Sequence, residues 1–516
     1  MFIENQLTNL CLVQVIAAVA SCFLAAGIVF GFAAIKPVLK DEGAYRTQCA
    51  ASTAANDNND DPEAIETCVE LRLDFMFTVA AVGSNVAALP VGAILDHYGP
   101  RVCGLLGSVL LAMGAILMAT AIPSSEVSHG YATYAPPLDG LLFGYLFLAL
   151  GGPFTYISAF QLSNAFPNHS GIVMALITGA FDSSSAIFLL YRLAYQQTDR
   201  GRLDLRSFFL AYLAVPASMA MLQFFLMPKQ SYKSVTELVV EAHQEPDVSA
   251  LHHHTPSEHT SLLAPPGSNT STTTTTTTTT AADLESMMGP GKVDAAARDQ
   301  AHSHHVSGVW GVMHSLPASR QICSWWFVLM CLFTVVQMTR INYFIATVRA
   351  QYERLLGSDR LAAEVNGYFD VALPLGGLVA VPFVGLLLDS FSTVGVLASL
   401  VATATVIGIL GTIPGSLTAA YAGIMLFVLY RPFYYTAVSD YSAKVFGFAT
   451  FGTVYGLIIC LAGLLNFSQS ALDHAFRYTF DGDPVPVNVF LLALGFIIGA
   501  ALVGYVAVQA RRVRRV

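Results

Sequence analysis

Long, uninterrupted apolar runs constrain this chain more than any other feature of its sequence. Twelve stretches approach the length of about 20 apolar residues that one helical crossing of a bilayer needs, and charges inside them are few. Within lipid every backbone N–H and C=O group must be satisfied inside the protein, so continuous runs of this kind form helices. The runs do not alternate between apolar and polar residues, which excludes a transmembrane β-barrel. The sequence therefore predicts an all-α membrane protein with twelve transmembrane helices.

The composition agrees with this class. Apolar residues make up 54% of the chain and charged residues only 11%, whereas a soluble protein carries roughly 25% charged residues. Such a chain could not cover its surface in water, so soluble enzymes, disulfide scaffolds and nucleic-acid-binding proteins are excluded. The net charge of −9 gives no support to a nucleic-acid partner either. The predicted spans cover residues 11–33, 73–95, 101–122, 138–162, 171–195, 206–228, 322–346, 365–388, 393–415, 418–440, 449–472 and 487–510.

A long polar segment divides the spans into two groups of six. This layout predicts an N-terminal six-helix bundle at 1–228, a linker at 229–320 and a C-terminal six-helix bundle at 321–516. The linker contains histidine clusters and an unbroken threonine run, and it has too few apolar residues to bury a core, so we expect it to be disordered. Its histidines lack a fixed geometry, so we expect neither a metal nor a cofactor. Its Ser and Thr residues could be phosphorylated and could bind regulatory partners.

The predicted orientation in the membrane depends on the basic residues near the end of the chain. Basic residues are divided equally between the loops of the two sides, so their number does not decide which side is cytosolic. A dense cluster after the last span, formed by Arg511, Arg512, Arg514 and Arg515, favours a cytosolic C-terminus. An even number of spans then places the N-terminus and the linker in the cytosol as well. The membrane, either the plasma membrane or that of a vacuole or another organelle, stays open.

The two halves carry related motifs at the end of their second span, which indicates an internal duplication. Asp96 follows Gly92 by four residues in the first half, and Asp389 follows Gly385 by four residues in the second. A glycine lets a neighbouring helix approach closely. An aspartate at a helix end, near basic groups and helix termini, can form a conformational latch.

The first motif resembles the signature that the major facilitator superfamily carries between spans two and three. The matching residues are Gly92, Asp96, Gly99 and Arg101. The motif departs from the family pattern at His97, where the family usually has a basic residue, and at Pro100, and the second copy keeps only Gly385 and Asp389. Together with the two groups of six spans, the resemblance implies the major facilitator fold, in which two pseudo-symmetric six-helix bundles surround a central cavity.

That fold assigns a place to each span. Spans one, four, seven and ten would line the central cavity, and spans two, five, eight and eleven would form the seam between the halves. A latch formed by Asp96 and Arg101, with Asp389 as its counterpart, would stabilise the outward-facing form.

A second, narrower resemblance lies in span five. The stretch from Thr178 to Phe188, with Asp182 and three serines at mid-membrane, is similar to a hallmark of solute carrier family 43. The match continues through 205–209 and ends near 228, and further similarity occurs at 27–31, 337–340 and 431–447. The family includes system-L transporters of large neutral amino acids and a nucleobase transporter. The resemblance implies sodium-independent movement of an uncharged or zwitterionic small solute down its gradient.

Ionisable groups inside a span are functional candidates, because they are costly in lipid. By the map above, Arg340 and Arg431 lie at the cavity, and Asp182 and Asp370 lie at the seam. In one interpretation Arg431 or Arg340 holds the carboxylate of an amino acid substrate, since a guanidinium can donate two parallel hydrogen bonds. In the other, the arginines pair with the aspartates and hold the halves together. A pair that opens as the halves rock would be a gate, so the two interpretations are compatible.

Further substrate-binding candidates surround these charges. Serines after Asp182 either contact it, a partner helix or the substrate, or bond back to their own helix. Glycines in spans one and four either pack closely or free backbone groups for the substrate, and aromatic residues near Arg431 could pack against a large apolar group. The candidates are Ser183, Thr155, Tyr156, Gln161, Tyr434, Tyr435, Gly27 and Gly31.

Two cysteines, Cys49 and Cys68, share the polar loop between spans one and two. This loop faces the outside or a lumen in the predicted topology, where disulfides persist. We therefore expect a disulfide between them.

These observations predict a facilitative transporter of large neutral amino acids that works by alternating access. The interiors of spans one and four contain no Asp or Glu, which favours uniport over proton coupling. The alternatives are a carrier of nucleobases or another small solute, and a non-transporting receptor or scaffold that acts through the linker. An enzyme is not expected, because no phosphate loop, helical metal-ligand pair or activated nucleophile occurs. The expected partners are a small-molecule substrate and membrane lipid.

Overall fold

The structure is a computed structural model that describes residues 2–50, 62–121, 139–166, 169–197, 203–228, 307–314 and 316–513. These residues form helices joined by turns, and none of them is in a β-strand. The α-helices are Phe2–Ser21, Phe32–Asp41, Pro62–Ala121, Gly140–Ala159, Ser170–Ser183, Ala186–Gln197, Leu205–Tyr212, Ala214–Phe225, Ala318–Ile322, Trp325–Leu356, Asp359–Ser390, Thr393–Leu410, Leu417–Phe446, Phe451–Leu465, Ser468–His474 and Val485–Val513. Short π and 3-10 segments are Cys22–Ala26, Ile28–Gly31, Phe160–Ala165 and Ala475–Thr479.

The described helices account for the twelve predicted spans. Eight segments are long and apolar enough to cross a membrane, and the bent helix Asp359–Ser390 makes a ninth. The longest segment, Ala64–Ala121, would measure roughly 90 Å as a straight helix, about three times the hydrocarbon thickness of a bilayer. It therefore holds spans two and three. The shorter apolar helices Leu10–Ala26 and Phe451–Leu465 supply spans one and eleven.

The turn between spans two and three depends on Gly99. Its backbone adopts φ 81° and ψ 173°, a region that residues with a side chain rarely enter. Pro100 follows, and proline fits the first turn of a helix because its missing N–H would have no helical partner there. The glycine of the signature is thus required by the backbone.

The seam between the N-terminal half (spans one to six) and the C-terminal half (spans seven to twelve) is built from small residues. A Cβ on Gly92 of span two would collide with the backbone of Gly452 in span eleven, and one on Gly456 would collide with the carbonyl of Ala88. Only glycine permits such close backbone contact between helices. Spans two and eleven therefore form one side of the seam, as the fold assignment predicts.

Spans five and eight form the other side of the seam in the same way. A Cβ on Gly385 would stand 2.8 Å from the Cα of Ile172, and one on Gly179 would collide with the side chain of Val381. Gly385 lies one helical turn before Asp389, as Gly92 lies one turn before Asp96, so these two contacts occupy equivalent places at the ends of spans eight and two. The halves are therefore closed against each other at this end of the bundle.

We name this end, where Met227 and Gln321 flank the linker, the linker side, and the opposite end the far side. On the far side, the ion pairs join elements of the same half: Lys36 with Asp74, Lys40 with Glu66 and Glu70, and Arg349 with Asp359. Cys49 and Cys68 are joined there by a disulfide with an S–S distance of 2.10 Å. These links brace each half separately.

The end of the linker differs from the prediction. Residues 229–306 lie outside the described residues, but residues 307–314 and 316–320 pack against the end of span ten instead of being disordered. Val309 and Met313 are 1% and 8% exposed and join the same hydrophobic cluster as Phe446. The average polarity of the linker conceals these few apolar residues, which bury enough surface to fix the segment.

The substitution Gly92→Ala should destabilise the closed seam. Its methyl group has no room against the Gly452 backbone, and overpacking of this kind costs about 1–3 kcal/mol. We expect a lower melting temperature of the purified protein in detergent. Gly504→Ala in span twelve is the matched control, because nothing lies within 4 Å of its Cβ. Equal melting temperatures for the two variants would contradict this packing.

Candidate functional site

An ion pair between the two halves lies at the middle of the bundle. Arg431 Nη2 of span ten lies 3.5 Å from Asp182 Oδ1 of span five. The side chain of Asp182 is 3% exposed and that of Arg431 is 17% exposed, so the carboxylate is the more deeply buried partner. Span eight approaches at Gly377, where a Cβ would stand 3.2 Å from the Cβ of Asp182. Three spans from both halves thus meet at one carboxylate.

Several polar atoms in and beside this ion pair lack a hydrogen-bond partner among the described residues. Asp182 Oδ1 and Arg431 Nε make no hydrogen bond to any residue that the structure describes, and the same is true of the buried hydroxyls of Ser183 and Ser184. A buried ion pair needs further hydrogen bonds to offset its lost hydration. The pair therefore has spare capacity to bind both a positive and a negative group.

Aromatic residues of both halves lie beside the pair. Tyr435 follows Arg431 by one helical turn in span ten. Tyr156 of span four packs against Phe181, the neighbour of Asp182, with ring centroids 4.6 Å apart, and its hydroxyl lies 3.3 Å from that of Thr178 in span five. Tyr455 of span eleven contacts Phe160, whose ring also packs against Tyr156. Both halves thus contribute aromatic and hydroxyl groups to one site at mid-membrane.

Spans one and five are both interrupted beside this site. The helix of span five stops after Ser183 and resumes two residues later, and span one passes through π and 3-10 turns around Gly27. A Cβ on Gly27 would collide with the carbonyl oxygen of Phe181, and one on Gly31 would stand 2.6 Å from that of Ser185. The glycines therefore pack closely against span five, and binding of the substrate by the irregular backbone around them stays a prediction.

At the linker side, Asp96 binds the N-terminus of span eleven. Its carboxylate accepts hydrogen bonds from the N–H of Gly452 at 2.9 Å, and from the N–H and hydroxyl of Thr453 at 2.7 and 2.6 Å. The first amides of a helix have no helical acceptor, and the helix dipole favours a negative charge there. The carboxylate joins the two halves across the seam.

Asp389 makes the equivalent contact in the other direction. It accepts hydrogen bonds from the N–H groups of Gly171 at 2.8 Å and Ile172 at 3.2 Å, in the first turn of span five. Each half thus places an aspartate on the N-terminus of a helix in the other half. We name these two contacts the Asp96 latch and the Asp389 latch.

Arg101 takes a different role from the expected one. Its Nε and Nη2 atoms donate to the carbonyl oxygen of Met227 at 3.0 and 2.6 Å. It therefore joins the linker-side ends of spans three and six within the N-terminal half, instead of pairing with Asp96. The signature arginine braces one half, and the signature aspartate connects both.

Two further candidates point away from the ion pair. Arg340 Nη2 donates to the carbonyl oxygen of Ala404 in span nine at 2.7 Å, and the hydroxyl of Tyr434 donates to the backbone carbonyl oxygen of Thr334 in span seven at 2.8 Å. Both contacts lie within the C-terminal half, so these side chains support its packing. The side chain of Asp370 lies outside the described ones.

Thr155 and Gln161 line a separate small cavity inside the N-terminal half, near its linker-side end. Ser21, Ser158 and Gln223 complete the polar part of its lining. Of the three candidates that follow Gly151-Gly152-Pro153 in span four, Tyr156 leaves the helix on another face and contacts Thr178 and Phe181 of span five.

The latch partners Gly452 and Thr453 were not among the predicted residues. They contribute two backbone N–H groups, which every residue but proline carries, and the hydroxyl of Thr453, and these residue types are too common to single out a latch partner in one sequence. The predicted start of span eleven was the usable signal, because helix N-termini bind carboxylates. The ion pair of Lys444 with Asp440, at 2.7 Å, was also missed, although its i,i+4 spacing can be read from the sequence.

Comparison with known proteins agrees with this architecture. Residues 19–468 match the family model described as Major Facilitator Superfamily. The chain is 43% identical over 500 residues to protein FMP42 of Saccharomyces cerevisiae, which covers 96% of this chain and 94% of the relative. Among solved structures, a double Trp mutant of XylE superimposes with a TM-score of 0.59 at 14% identity, covering 97% of this chain and 95% of that one.

Two relatives are transporters by name. Equilibrative nucleobase transporter 1 of Bos taurus is 21% identical over 502 residues, 93% of this chain and 92% of its own. Large neutral amino acids transporter small subunit 3 of Mus musculus is 31% identical over 181 residues, 35% of this chain and 30% of its own.

Neutralising either latch should open the linker side. Asp96→Asn and Asp389→Asn each remove a charge and an acceptor from a helix N-terminus, so the closed state loses stability. Double electron–electron resonance measures the distance between spin labels placed at Tyr98 and Phe391, which are 66% and 54% exposed. Either substitution should increase the population of long distances between the two labels.

The control for the latch variants is Asp473→Asn. Asp473 pairs with Arg477 at 2.9 Å on the far side within one half, so its loss should leave the distance distribution unchanged. Latch variants that behave like this control would contradict the assigned role of the two aspartates.

Proposed function

Since this chain belongs to the Major Facilitator Superfamily and is a multi-pass membrane transporter, we propose that it carries large neutral amino acids down their gradient by alternating access. The observation that carries the proposal is the Asp182–Arg431 pair, which lies at mid-membrane, joins the two halves and is poorly saturated by hydrogen bonds. A solute that carries one positive and one negative group matches this pair.

The backbone charges of a free amino acid fit the two side chains. The carboxylate would bind Arg431, whose guanidinium can donate two parallel hydrogen bonds. The ammonium group would bind Asp182, with the hydroxyls of Ser183 and Ser184 nearby as further acceptors. Binding would exchange one incompletely bonded protein pair for two charge-assisted pairs with the substrate, which links occupancy of the site to separation of the halves.

The aromatic groups support a large apolar side chain on the substrate. Tyr156, Tyr435 and Tyr455 offer ring faces and edges next to the charged groups, and aromatic surfaces pack well against branched or aromatic side chains. The local identity of 31% to a large neutral amino acid transporter supports the same class.

The latches support an outward-facing state for the structure. Both of them, and the glycine contacts of the seam, close the linker side, while the far-side ion pairs brace each half alone. Substrate would enter from the far side, and opening of the latches would release it toward the linker. With the arginine cluster at the end of the chain, we place the linker and both termini in the cytosol.

A nucleobase is the second candidate substrate, supported by the 21% identity to a nucleobase transporter across 93% of this chain. The tyrosines could stack on a base, and Arg431 could donate to a base carbonyl. A neutral base needs no carboxylate partner for an ammonium group, so the two candidates depend differently on Asp182 and Arg431.

The substitution Arg431→Gln should reduce leucine uptake into proteoliposomes by about ten- to hundredfold, because hydrogen bonds to a charged group contribute about 1.5–3 kcal/mol each. Uptake of radiolabelled leucine and adenine would be measured side by side. Arg349→Gln is the matched control, since Arg349 is exposed and pairs with Asp359 on the far side.

Folding must be separated from binding in this experiment, because a single substitution leaves the other charge buried. The double variant Asp182→Asn with Arg431→Gln removes both charges and should recover the melting temperature without recovering leucine uptake. Leucine uptake that survives in the correctly folded single variant would contradict the proposal, as would uptake of adenine without leucine.

Uptake should also be passive. Spans one and four carry no interior carboxylate, so we expect labelled leucine to reach equal concentrations inside and outside, whether or not a pH gradient is imposed. The measurement is steady-state accumulation in proteoliposomes at matched and unequal pH. Uphill accumulation that is driven by acidity on one side would show proton coupling and refute uniport.

A further inference from the structure

The last residues of the linker cap the end of span ten. The N–H of Gly311 donates to the carbonyl oxygen of Lys444 at 3.0 Å, and the N–H of Met313 donates to the carbonyl oxygen of Val445 at 3.1 Å. The last carbonyls of a helix have no helical donor. Residues 307–314 therefore supply hydrogen bonds that the end of span ten needs.

The side chain of Gln321 ties three elements together. It is fully buried, and its Nε2 atom donates to the carbonyl oxygens of Met313 at 2.9 Å and Phe446 at 3.1 Å. Its Oε1 atom accepts a hydrogen bond from the hydroxyl of Thr450 at 2.7 Å. Thr450 is the residue before the helix of span eleven, and Gly452, two residues on, binds Asp96. Residues 307–314 and Gln321 are thus connected directly to the Asp96 latch.

The capped end of span ten is also connected to the Asp389 latch. The ammonium group of Lys444 forms a buried ion pair with Asp440 at 2.7 Å and donates to the carbonyl oxygen of Leu388 at 3.2 Å. Leu388 precedes Asp389, whose carboxylate binds the start of span five. Span ten therefore fixes the position from which the second latch aspartate reaches across the seam.

We propose that residues 307–322, which we name the clamp segment, hold the linker side closed. They fix the end of span ten and the start of span eleven where Asp96 and Asp389 can reach their partner helices. Detachment of the clamp segment frees both helix ends and favours the state that is open toward the linker. The clamp rests on the proposed alternating access but not on the identity of the solute, and it gives a binding partner of the linker a route to control transport.

Two substitutions test the clamp without touching a latch residue. Gln321→Ala removes all four side-chain hydrogen bonds, which join it to Met313, Leu316, Phe446 and Thr450, and Thr450→Val removes one donor while keeping the side-chain shape. Hydrogen exchange of the purified full-length protein, without any solute, would be followed by mass spectrometry. In Gln321→Ala we expect about fivefold faster exchange in the peptide 449–456, in keeping with the loss of a buried hydrogen bond.

Hydrogen exchange would also be measured at the Asp389 latch and on the far side. Exchange in the peptide 168–174 should also rise, whereas that of far-side peptides such as 62–75 should not. In the double variant Gln321→Ala with Thr450→Val, the two increases in exchange rate should combine less than additively, because both substitutions break the same contact. Gln469→Ala is the matched control, since Gln469 bonds locally to Asn466 on the far side.

Two results would overturn the clamp: unchanged exchange at 449–456 in both variants, or a rise that is equal in all helices. The experiment contains no solute, so failure of leucine transport leaves its outcome intact. In the same way, a failed clamp leaves the leucine and adenine uptake results unaffected.

Discussion

The ion pair between Asp182 and Arg431 is the constraint on which the rest of this structure depends. Two opposite charges at mid-membrane are expensive, and here they come from different halves of the molecule. Their attraction closes the halves together, yet their geometry leaves the Oδ1 atom of the carboxylate and the Nε atom of the guanidinium without hydrogen-bond partners. A pair that holds the halves and also retains binding capacity can act both as a gate and as a substrate site, because these roles require the same atoms.

The other elements of the seam make that pair switchable. Glycines bring spans two and eleven, and spans five and eight, into backbone contact on the linker side, so the halves meet on surfaces that can separate without unfolding. The two latch aspartates bind backbone amides at helix N-termini, which are formed in either state of the transporter. Each latch can therefore break and reform without cost to the secondary structure. Interruptions in spans one and five beside the ion pair supply irregular backbone where a solute would lie.

Much of this architecture could be predicted from the sequence. The apolar runs defined the spans, and the repeated Gly-to-Asp spacing pointed to Asp96 and Asp389, since both features follow from residue types along the chain. Pairing of Arg431 with Asp182 was one of the two predicted interpretations, and the structure adds that the pair is incompletely bonded. Rotation of a helix about its axis is less accessible to sequence reasoning, because it depends on packing against neighbours. For that reason Arg340, on a span expected to line the cavity, instead binds the carbonyl of Ala404.

Contacts made by backbone groups could not be predicted from the sequence, for a second reason. Two of the three groups that bind Asp96 are backbone amides of span eleven, and three of the four partners of Gln321 are the backbone carbonyls of Met313, Leu316 and Phe446. Such groups occur in every residue, so only the folded chain reveals which of them are free to bind. The clamp segment adds that a polar linker can end in a short, buried and specific contact, carried by Val309, Met313 and Gln321, which an average over the whole linker hides.

The most direct test of the central claim is equilibrium binding of three ligands to the purified protein by calorimetry. Leucine carries both charges, N-acetyl-leucine lacks the ammonium group, and leucine methyl ester lacks the carboxylate. If Asp182 and Arg431 recognise the two charges separately, each blocked analogue should bind about tenfold or more weakly than leucine, in line with the loss of one charged hydrogen-bond set. Equal affinities for leucine and either analogue would contradict recognition of a zwitterion by this pair.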